Sequence, residues 1–256
     1  VQSSDSTQSR SLRAVEFKTE YRTGQVDLIA DFYRPCLSRA THYDRAAGFF
    51  RSSILLMIGT DILDFAKRGG QMRLICSSKV TKEDLNAFEE GYERRKAVQA
   101  DIDKEIDQLM AESPGDVRVR MLSTLIAKGV IEVKIAVLPR DHLGQFHDKI
   151  GLFFDHDENI VSFKGSSNET KSGWHPSGNH ESFDVFCSWL DDRERTRVAT
   201  HQISFESLWN GKIKDVSVYE VPEASRKKLF SIASTSIRSL EADIQDDLEK
   251  EAESNS

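Results

Sequence analysis

The sequence has few cysteines and no long apolar run. Only three of its 256 residues are cysteine, and Cys36, Cys76 and Cys187 are far apart within apolar segments. This spacing fits neither a zinc site nor a disulfide framework, so we expect a reducing, cytoplasmic environment. The longest apolar stretch, residues 54–58, is too short to span a bilayer, and we expect no membrane association.

The chain also lacks an excess of basic residues. Its net charge is -7, from 35 basic and 42 acidic residues, which argues against a general nucleic-acid coat protein. A nuclease with its positive charge concentrated at one cleft remains compatible with this balance. Local candidates for that charge are Lys134, Arg140, Lys149, Lys164 and Lys171. No Gly-x-x-x-x-Gly-Lys is present, so these residues are not expected to hydrolyse ATP.

Two short motifs place an imidazole, an ammonium, hydroxyls and a carboxamide close together in the sequence. His147-Asp-Lys149 lies in an extended-looking segment, where residues two apart point to the same face. A second predicted strand, residues 159–163, is followed by Lys164-Gly-Ser-Ser-Asn168, interpreted as a tight turn. Glycine in that turn would let the backbone approach a ligand. An imidazole can attack phosphorus and a lysine can neutralise phosphoryl oxygens, so the pattern favours phosphodiester chemistry.

No carboxylate pair is placed to hold a metal beside His147. Alternation predicts that Asp148 points to the opposite face, and the other nearby carboxylates crowd the turn between the two strands. His175 and His180 follow at spacings that fit no common zinc arrangement. We therefore expect neither a metal nor another cofactor.

These residues resemble the HKD motif of the phospholipase D superfamily, which has His-x-Lys, a spaced Asp and then Gly-Ser-x-Asn. Asn179-His-Glu181 matches the Asn-x-Glu found downstream in that family. Asn168-Glu-Thr170, followed by Trp174, is most similar to the nuclease-type branch, which includes restriction endonucleases and amino-terminal domains of helicase-like bacterial defence proteins. Segments 43–50 and 69–76 resemble the same helicase-associated group. The resemblance covers roughly residues 15 to 220.

The resemblance implies roles for individual residues. One imidazole attacks phosphorus, and a second protonates the leaving oxygen. The implied catalytic residues are His147, Lys149, Asn168 and Glu181, with Glu181 bonded to a catalytic imidazole. The expected substrate-binding residues are Lys164, Ser166, Ser167, Lys171 and Trp174. For Trp174, lining the substrate cleft and packing over the motif both remain open.

The chain departs from the family pattern in two ways. The position that usually holds the motif's Asp is Phe154, and Asp155 follows it, so a one-residue shift or a bulge is needed to present that carboxylate. The amino-terminal half contains no His-x-Lys, leaving one copy of a motif that the family uses twice. We therefore expect a homodimer with one shared active site.

The expected fold is an α/β phospholipase D-like mixed sheet flanked by helices, with a helical insertion at about 82–129. Predicted elements include a strand–helix–strand unit at residues 43–76 with a parallel pair, and a strand at 131–137. We expect a disordered amino terminus at 1–14, one phosphodiesterase domain at 15–220, and a helical tail or linker at 221–256.

The sequence thus predicts a metal-independent phosphodiesterase that acts as a DNA nuclease in a restriction or anti-phage defence system. The expected partner is DNA, with both single-stranded and double-stranded DNA open as the substrate. A helicase or ATPase module is expected in the same polypeptide or complex. One alternative is a catalytically silent DNA-sensing or dimerisation module of a helicase. The other is a lipid phosphodiesterase, which should carry an exposed apolar rim or an amphipathic membrane helix.

Overall fold

A computed structural model of the chain describes residues 10–48, 59–77, 117–138, 146–166, 180–221, 231 and 233–242. Eight strands in these residues form one mixed sheet. Their bounds are β1 (Glu20–Arg22), β2 (His42–Ala47), β3 (Gln71–Ser77), β4 (Ile131–Val137), β5 (Ile150–Phe154), β6 (Ile160–Gly165), β7 (Ser182–Cys187) and β8 (Ser217–Glu220).

Helices cover both faces of this sheet. A 3-10 turn, Leu12–Ala14, precedes β1, and a π-helical turn, Ile29–Tyr33, continues into α1. The α-helices are α1 (Arg34–Leu37), α2 (Gly59–Lys67), α3 (Val117–Ala127) and α4 (Asp192–Trp209). No helix in the described residues is long and apolar enough to cross a membrane.

The strand order is β1–β7–β6–β5–β2–β3–β4–β8. β2, β3 and β4 run parallel, whereas the other neighbouring strands are antiparallel. A parallel pair needs a crossover, and α2 supplies part of the one between β2 and β3. The predicted mixed α/β sheet and the parallel strand–helix–strand unit are therefore confirmed. Of the expected insertion at 82–129, α3 is described, and residues 82–116 lie outside the described residues.

Strand alternation divides the apolar side chains between the two faces of the sheet. On one face, strand side chains pack with α1, α2 and α3 around Phe32, whose ring centroid is 5.1 Å from that of Phe163 and 4.9 Å from that of Phe183. On the other face, Ile150 and Leu152 pack against Phe205 of α4. We call these the aromatic face and the α4 face. In β2 to β6, odd and even residues therefore face different helices.

The amino terminus is joined to the sheet through a buried carboxylate, Asp155, directly after β5. Asp155 accepts hydrogen bonds from the Leu12 backbone amide (2.8 Å), the Ser11 hydroxyl (3.0 Å) and the Asn159 amide groups. Burial alone would raise the pKa of Asp155, but the hydrogen bonds from Asn159, Leu12 and Ser11 outweigh it and hold the pKa below its ordinary value. This carboxylate fixes the start of the fold.

The observed packing differs from the expected domain boundaries at both ends. Leu12 is fully buried in the core of the aromatic face, although residues 1–14 were expected to be disordered; residues 1–9 lie outside the described residues. Residues 237–242 are helical, and Leu240 is also fully buried in that core. Lys67 of α2 bonds Glu241 at 2.6 Å. This part of the predicted tail or linker therefore packs on the domain.

Removal of the Asp155 carboxylate should destabilise the protein. Asp155→Ala leaves the buried Leu12 amide and Ser11 hydroxyl without their acceptor, at a cost of roughly 1–3 kcal/mol in the free energy of unfolding. Because the folded-state pKa is lowered, this contribution is present above the unfolded pKa and is lost as the pH falls through the folded pKa. Urea unfolding of both proteins at pH 7 and at acidic pH measures the difference. An equal difference at both pH values would contradict the assignment.

Candidate active site

His147 and Lys149 lie directly before β5, at the end of the sheet opposite Asp155. The Lys149 ammonium is 2.8 Å from Nδ1 and 2.8 Å from Nε2 of His147. An atom equally close to both ring nitrogens cannot lie along the lone-pair direction of either one. The Lys149 ammonium therefore contacts the imidazole ring without a well-aligned hydrogen bond to a single nitrogen. The predicted approach of these two side chains is confirmed, although both residues precede the strand.

The two side chains differ in their exposure to solvent. The Lys149 residue is only 4% exposed, whereas His147 is exposed. The imidazole ring is therefore open to solvent, and the buried ammonium places a positive charge next to it. The arrangement is chemically suited to an anionic reactant that approaches His147 from outside.

A second buried cation, Arg45, shares this end of the aromatic face. Arg45 of β2 is in register with Gly151 of β5, which is in register with Phe163 of β6. Lys149 is two residues before Gly151, so alternation directs it to the face that carries Arg45. Arg45 is 1% exposed, and its guanidinium lies 4.9 Å from the centroid of the Phe163 ring.

Gly151 makes room for this arrangement. A Cβ at position 151 would overlap the Phe163 ring, which therefore lies across the glycine. The ring then offers its face to the Arg45 guanidinium, a favourable cation–π geometry. The glycine serves side-chain packing within the sheet.

Glu181 adds a carboxylate at the same end. It is 8% exposed and directly precedes β7, two residues before Phe183 of the aromatic face. Its backbone is fixed by Thr23, whose hydroxyl accepts from the Glu181 amide at 2.8 Å and whose amide donates to the Glu181 carbonyl at 3.0 Å. The carboxylate is thus carried on a segment that pairs with the chain just after β1.

The electrostatic balance of these groups lowers the pKa of Lys149. Burial is the largest cause, because it disfavours the charged ammonium, and the positive charge of Arg45 acts in the same direction. Glu181 and Asp148 oppose the shift but do not cancel it. Lys149 therefore releases a proton more readily than an exposed lysine does.

The turn predicted at residues 164–168 begins later than expected. Lys164 and Gly165 are the last residues of β6, paired with Asp184 and Phe183 of β7. A Cβ at Gly165 would overlap the Ser182 carbonyl oxygen and the Phe183 backbone. The close approach that requires glycine is therefore that of a neighbouring strand, and the predicted approach of a ligand is not what the glycine accommodates here.

Ser166 and Lys164 both border the site. The Ser166 hydroxyl accepts from the Ser182 amide at 3.1 Å, so it also joins β6 to β7. Lys164 lies on the α4 face and bonds Asp148 at 3.2 Å, as the alternation of Asp148 with its neighbours predicts. The other predicted site residues, Ser167, Asn168, Lys171 and Trp174, lie outside the described residues.

Asp155 is not part of this site. It follows the far end of β5, and five strand residues at about 3.3 Å each separate it from Lys149. Asp155, His156 and Asp157 form the one group of close metal-ligating side chains in the described part of the chain. Because Asp155 already bonds the amino-terminal segment, this group has a structural explanation.

Sequence reasoning missed Arg45. The reason is that β2 contributes no recognisable motif. The available signal was a charged residue within the strand segment 42–47, whose members from Tyr43 onwards are all buried. Asp44 has a separate role on the α4 face, where it accepts hydrogen bonds from Arg73.

No model of a known protein family matches the sequence, and no curated protein matches it. Solved structures similar to this chain include NucT from Helicobacter pylori, at 15% identity over 75% of this chain and 98% of that chain, with a TM-score of 0.42. Nuc from Salmonella typhimurium, a phospholipase D family member, has 14% identity over 73% and 88%, with a TM-score of 0.38. Phosphatidylserine synthase of Haemophilus influenzae has 11% identity over 88% and 45%, with a TM-score of 0.42.

Identities and TM-scores this low transfer neither an activity nor a substrate to this chain. No comparison bears on the defence-protein branch.

Replacement of Arg45 should raise the pKa of Lys149. Arg45→Met removes one of the two causes that lower that pKa, while burial, the larger cause, remains. An NMR titration of the isotopically labelled lysine side chain measures the pKa directly. Arg45→Lys keeps the charge and should leave the pKa lowered. An unchanged Lys149 pKa in folded Arg45→Met would refute the electrostatic link between these residues.

Proposed function

We propose that this protein is a metal-independent phosphodiesterase that cleaves DNA. The observation that carries the proposal is the contact between the buried Lys149 ammonium and the exposed His147 imidazole. A nucleophile needs access to its substrate, and a phosphoryl group needs a cation beside it; this pair supplies both. DNA is favoured as the substrate because the sequence around Asn168 and Glu169 resembles the nuclease-type branch.

In the first step, a ring nitrogen of one His147 attacks phosphorus. The bond from phosphorus to the leaving oxygen breaks, and its electron pair stays on that oxygen. His147 of the partner subunit donates a proton to the leaving oxygen, and a phosphohistidine remains. In the second step the partner's imidazole removes a proton from water, whose oxygen attacks phosphorus. The phosphorus–nitrogen bond breaks, which regenerates the first His147.

The surrounding groups stabilise charge through this sequence. Lys149 donates to the phosphoryl oxygens, where negative charge is greatest in the transition state. Glu181 orients an imidazole and balances its positive charge, as a carboxylate does for other catalytic histidines. In the same proposal Asn168 and Ser166 donate hydrogen bonds to the phosphoryl oxygens, and Ser167 and Lys171 bind the adjoining strand of substrate. Trp174 is assigned to substrate binding in this proposal.

The active enzyme is a homodimer with one shared site. Two-step chemistry uses two imidazoles, and each chain has one His-x-Lys motif. The exposure of His147 supports this assembly, because a second copy of the ring can approach it across a twofold axis. We place the enzyme in a restriction or anti-phage defence system, where a helicase or ATPase module supplies it with DNA.

DNA cleavage should persist in EDTA and depend on His147. The imidazole supplies the nucleophile and Lys149 supplies charge compensation, so neither role needs a bound cation. His147→Ala should abolish cleavage, and Lys149→Ala should cost on the order of 3 kcal/mol in transition-state stabilisation. The measurement is cleavage of labelled single- and double-stranded DNA, with and without EDTA.

His156→Ala is the matched control, because His156 lies in the turn after β5, beyond the opposite end of that strand from His147. It should retain wild-type cleavage. Activity that appears only with magnesium or manganese would overturn the mechanism. Absence of any cleavage by the wild-type protein would favour the silent DNA-sensing module.

Mixed dimers should separate a shared site from two independent ones. A dimer with one wild-type and one His147→Ala chain has either the nucleophile or the proton donor, and never both. It should be essentially inactive or stall as the phosphohistidine. Sedimentation should give about twice the 29.0 kDa chain mass. Half of the wild-type rate in purified mixed dimers, or turnover by a strict monomer, would disprove the shared site.

A further inference from the structure

An open cleft of about 630 Å³ lies on the α4 face, between the end of β6 and the first turns of α4. Seven residues line it, and all of their side chains are polar. Three of them are basic: Lys164, Arg193 and Arg197. Arg193 and Arg197 are one helical step of four residues apart, which separates them by about 6 Å along the axis. The cations therefore form a row along the cleft.

The remaining lining residues contribute no positive charge for binding an anion. The hydroxyls of Thr196, Thr200 and Ser204 each donate to the backbone carbonyl four residues earlier, at 2.7–2.8 Å. Burial, followed by the charges of Lys164 and Arg197, lowers the pKa of His201 to about 4, so its ring is neutral at physiological pH. Its Nδ1 lies 3.0 Å from the Ser162 hydroxyl. Charge recognition in the cleft falls to the lysine and the two arginines.

The cleft begins at the candidate active site. Lys164 lines it and is paired in the sheet with Ile150, the first residue of β5. The Lys164 ammonium is 3.2 Å from Asp148, which lies between His147 and Lys149 in the chain. An extended anion held along Arg193 and Arg197 therefore reaches Lys164 at the edge of the catalytic pair.

The carboxylates near the cleft lie beside Lys164 and partly neutralise its charge. Asp148 bonds it, and the exposed Asp184 is its register partner on β7. Arg197 is instead held over the Phe186 ring at 5.2 Å, which positions its guanidinium without neutralising it. Arg193 and Arg197 should therefore supply most of the attraction for an anion.

We propose that this cleft binds the phosphodiester backbone of the nucleic-acid strand whose scissile phosphate lies at His147. The inference rests on the proposed function and adds where the substrate strand runs. The row formed by Lys164, Arg193 and Arg197 suits the successive phosphates of an extended strand. Anionic lipid vesicles provide the test for the other source of phosphate groups. The contacts are to the backbone and carry no base specificity.

The test is the double variant Arg193→Gln/Arg197→Gln, compared with Arg195→Gln. Arg195 belongs to the same helix but does not line the cleft, and it bonds Asp192 at 2.7 Å. Binding of labelled single-stranded DNA is measured against salt concentration. Loss of two phosphate contacts should lower the slope of log affinity against log salt by about 1.4. Arg195→Gln should keep the wild-type slope, and Arg193→Lys/Arg197→Lys should restore most of the affinity.

A small substrate, bis(p-nitrophenyl) phosphate, separates this inference from the proposed function. It reaches His147 without occupying the cleft, so the double variant should hydrolyse it at the wild-type rate while binding DNA more weakly. An unchanged DNA slope with normal small-substrate turnover would overturn the cleft and leave the phosphodiesterase standing. If the wild-type protein did not turn over the small substrate and the variant showed a reduced DNA slope, the phosphodiesterase would be overturned and the DNA-binding cleft would stand. Weaker binding to anionic lipid vesicles with unchanged DNA binding would also overturn the cleft.

Discussion

Two buried positive charges at one end of the sheet constrain the rest of the site. Burying Arg45 and Lys149 on the same face costs solvation free energy, and their mutual repulsion adds to that cost. The Phe163 ring and the buried Glu181 offset part of it. In the proposed function, a phosphate bound at His147 would offset more of this cost, because it brings negative charge to the end of the sheet that carries the two cations. In that function, these two cations favour an anionic substrate.

The register of the sheet is what brings these charges together. Arg45, Gly151 and Phe163 are aligned across three strands, and two of the neighbouring charged residues lie just beyond strand ends on the same face. Gly151 and Gly165 both allow close packing, the first of a ring and the second of a strand. A slip of one residue in any of these pairs would send the side chains to the other face. Strand pairing thus determines the chemistry as well as the shape.

The two faces of the sheet contribute different parts of the candidate site. The aromatic face carries the buried charges and is closed by the core around Phe32. The α4 face is open beside Lys164, where the cationic cleft begins. Asp148 connects the two, because it lies between residues of one face and bonds Lys164 on the other. In our proposal the reaction takes place at the end of the sheet, and the substrate strand approaches along α4.

Local patterns in the sequence were sufficient for several elements. The strand at 131–137 was predicted with its observed bounds, and the parallel β2–β3 pair followed from an apolar strand, helix and strand in succession. The approach of Lys149 to His147 followed from their spacing of two. Such patterns succeed because the period of a strand or helix is set by neighbouring residues. The later start of the turn after β6 escaped this reasoning, because strand length there depends on pairing with β7.

The sequence by itself determined the mixed α/β class, the position of the His-x-Lys pair and the chemical type of its side chains. Only the tertiary structure decided that Arg45 joins them, since Arg45 and Lys149 are 104 positions apart and no local period relates the two. It also assigned Asp155 to the amino terminus, through bonds to Ser11 and Leu12 that span more than 140 positions. Contacts of that range depend on strand order and register, which arise from the packing of the whole sheet.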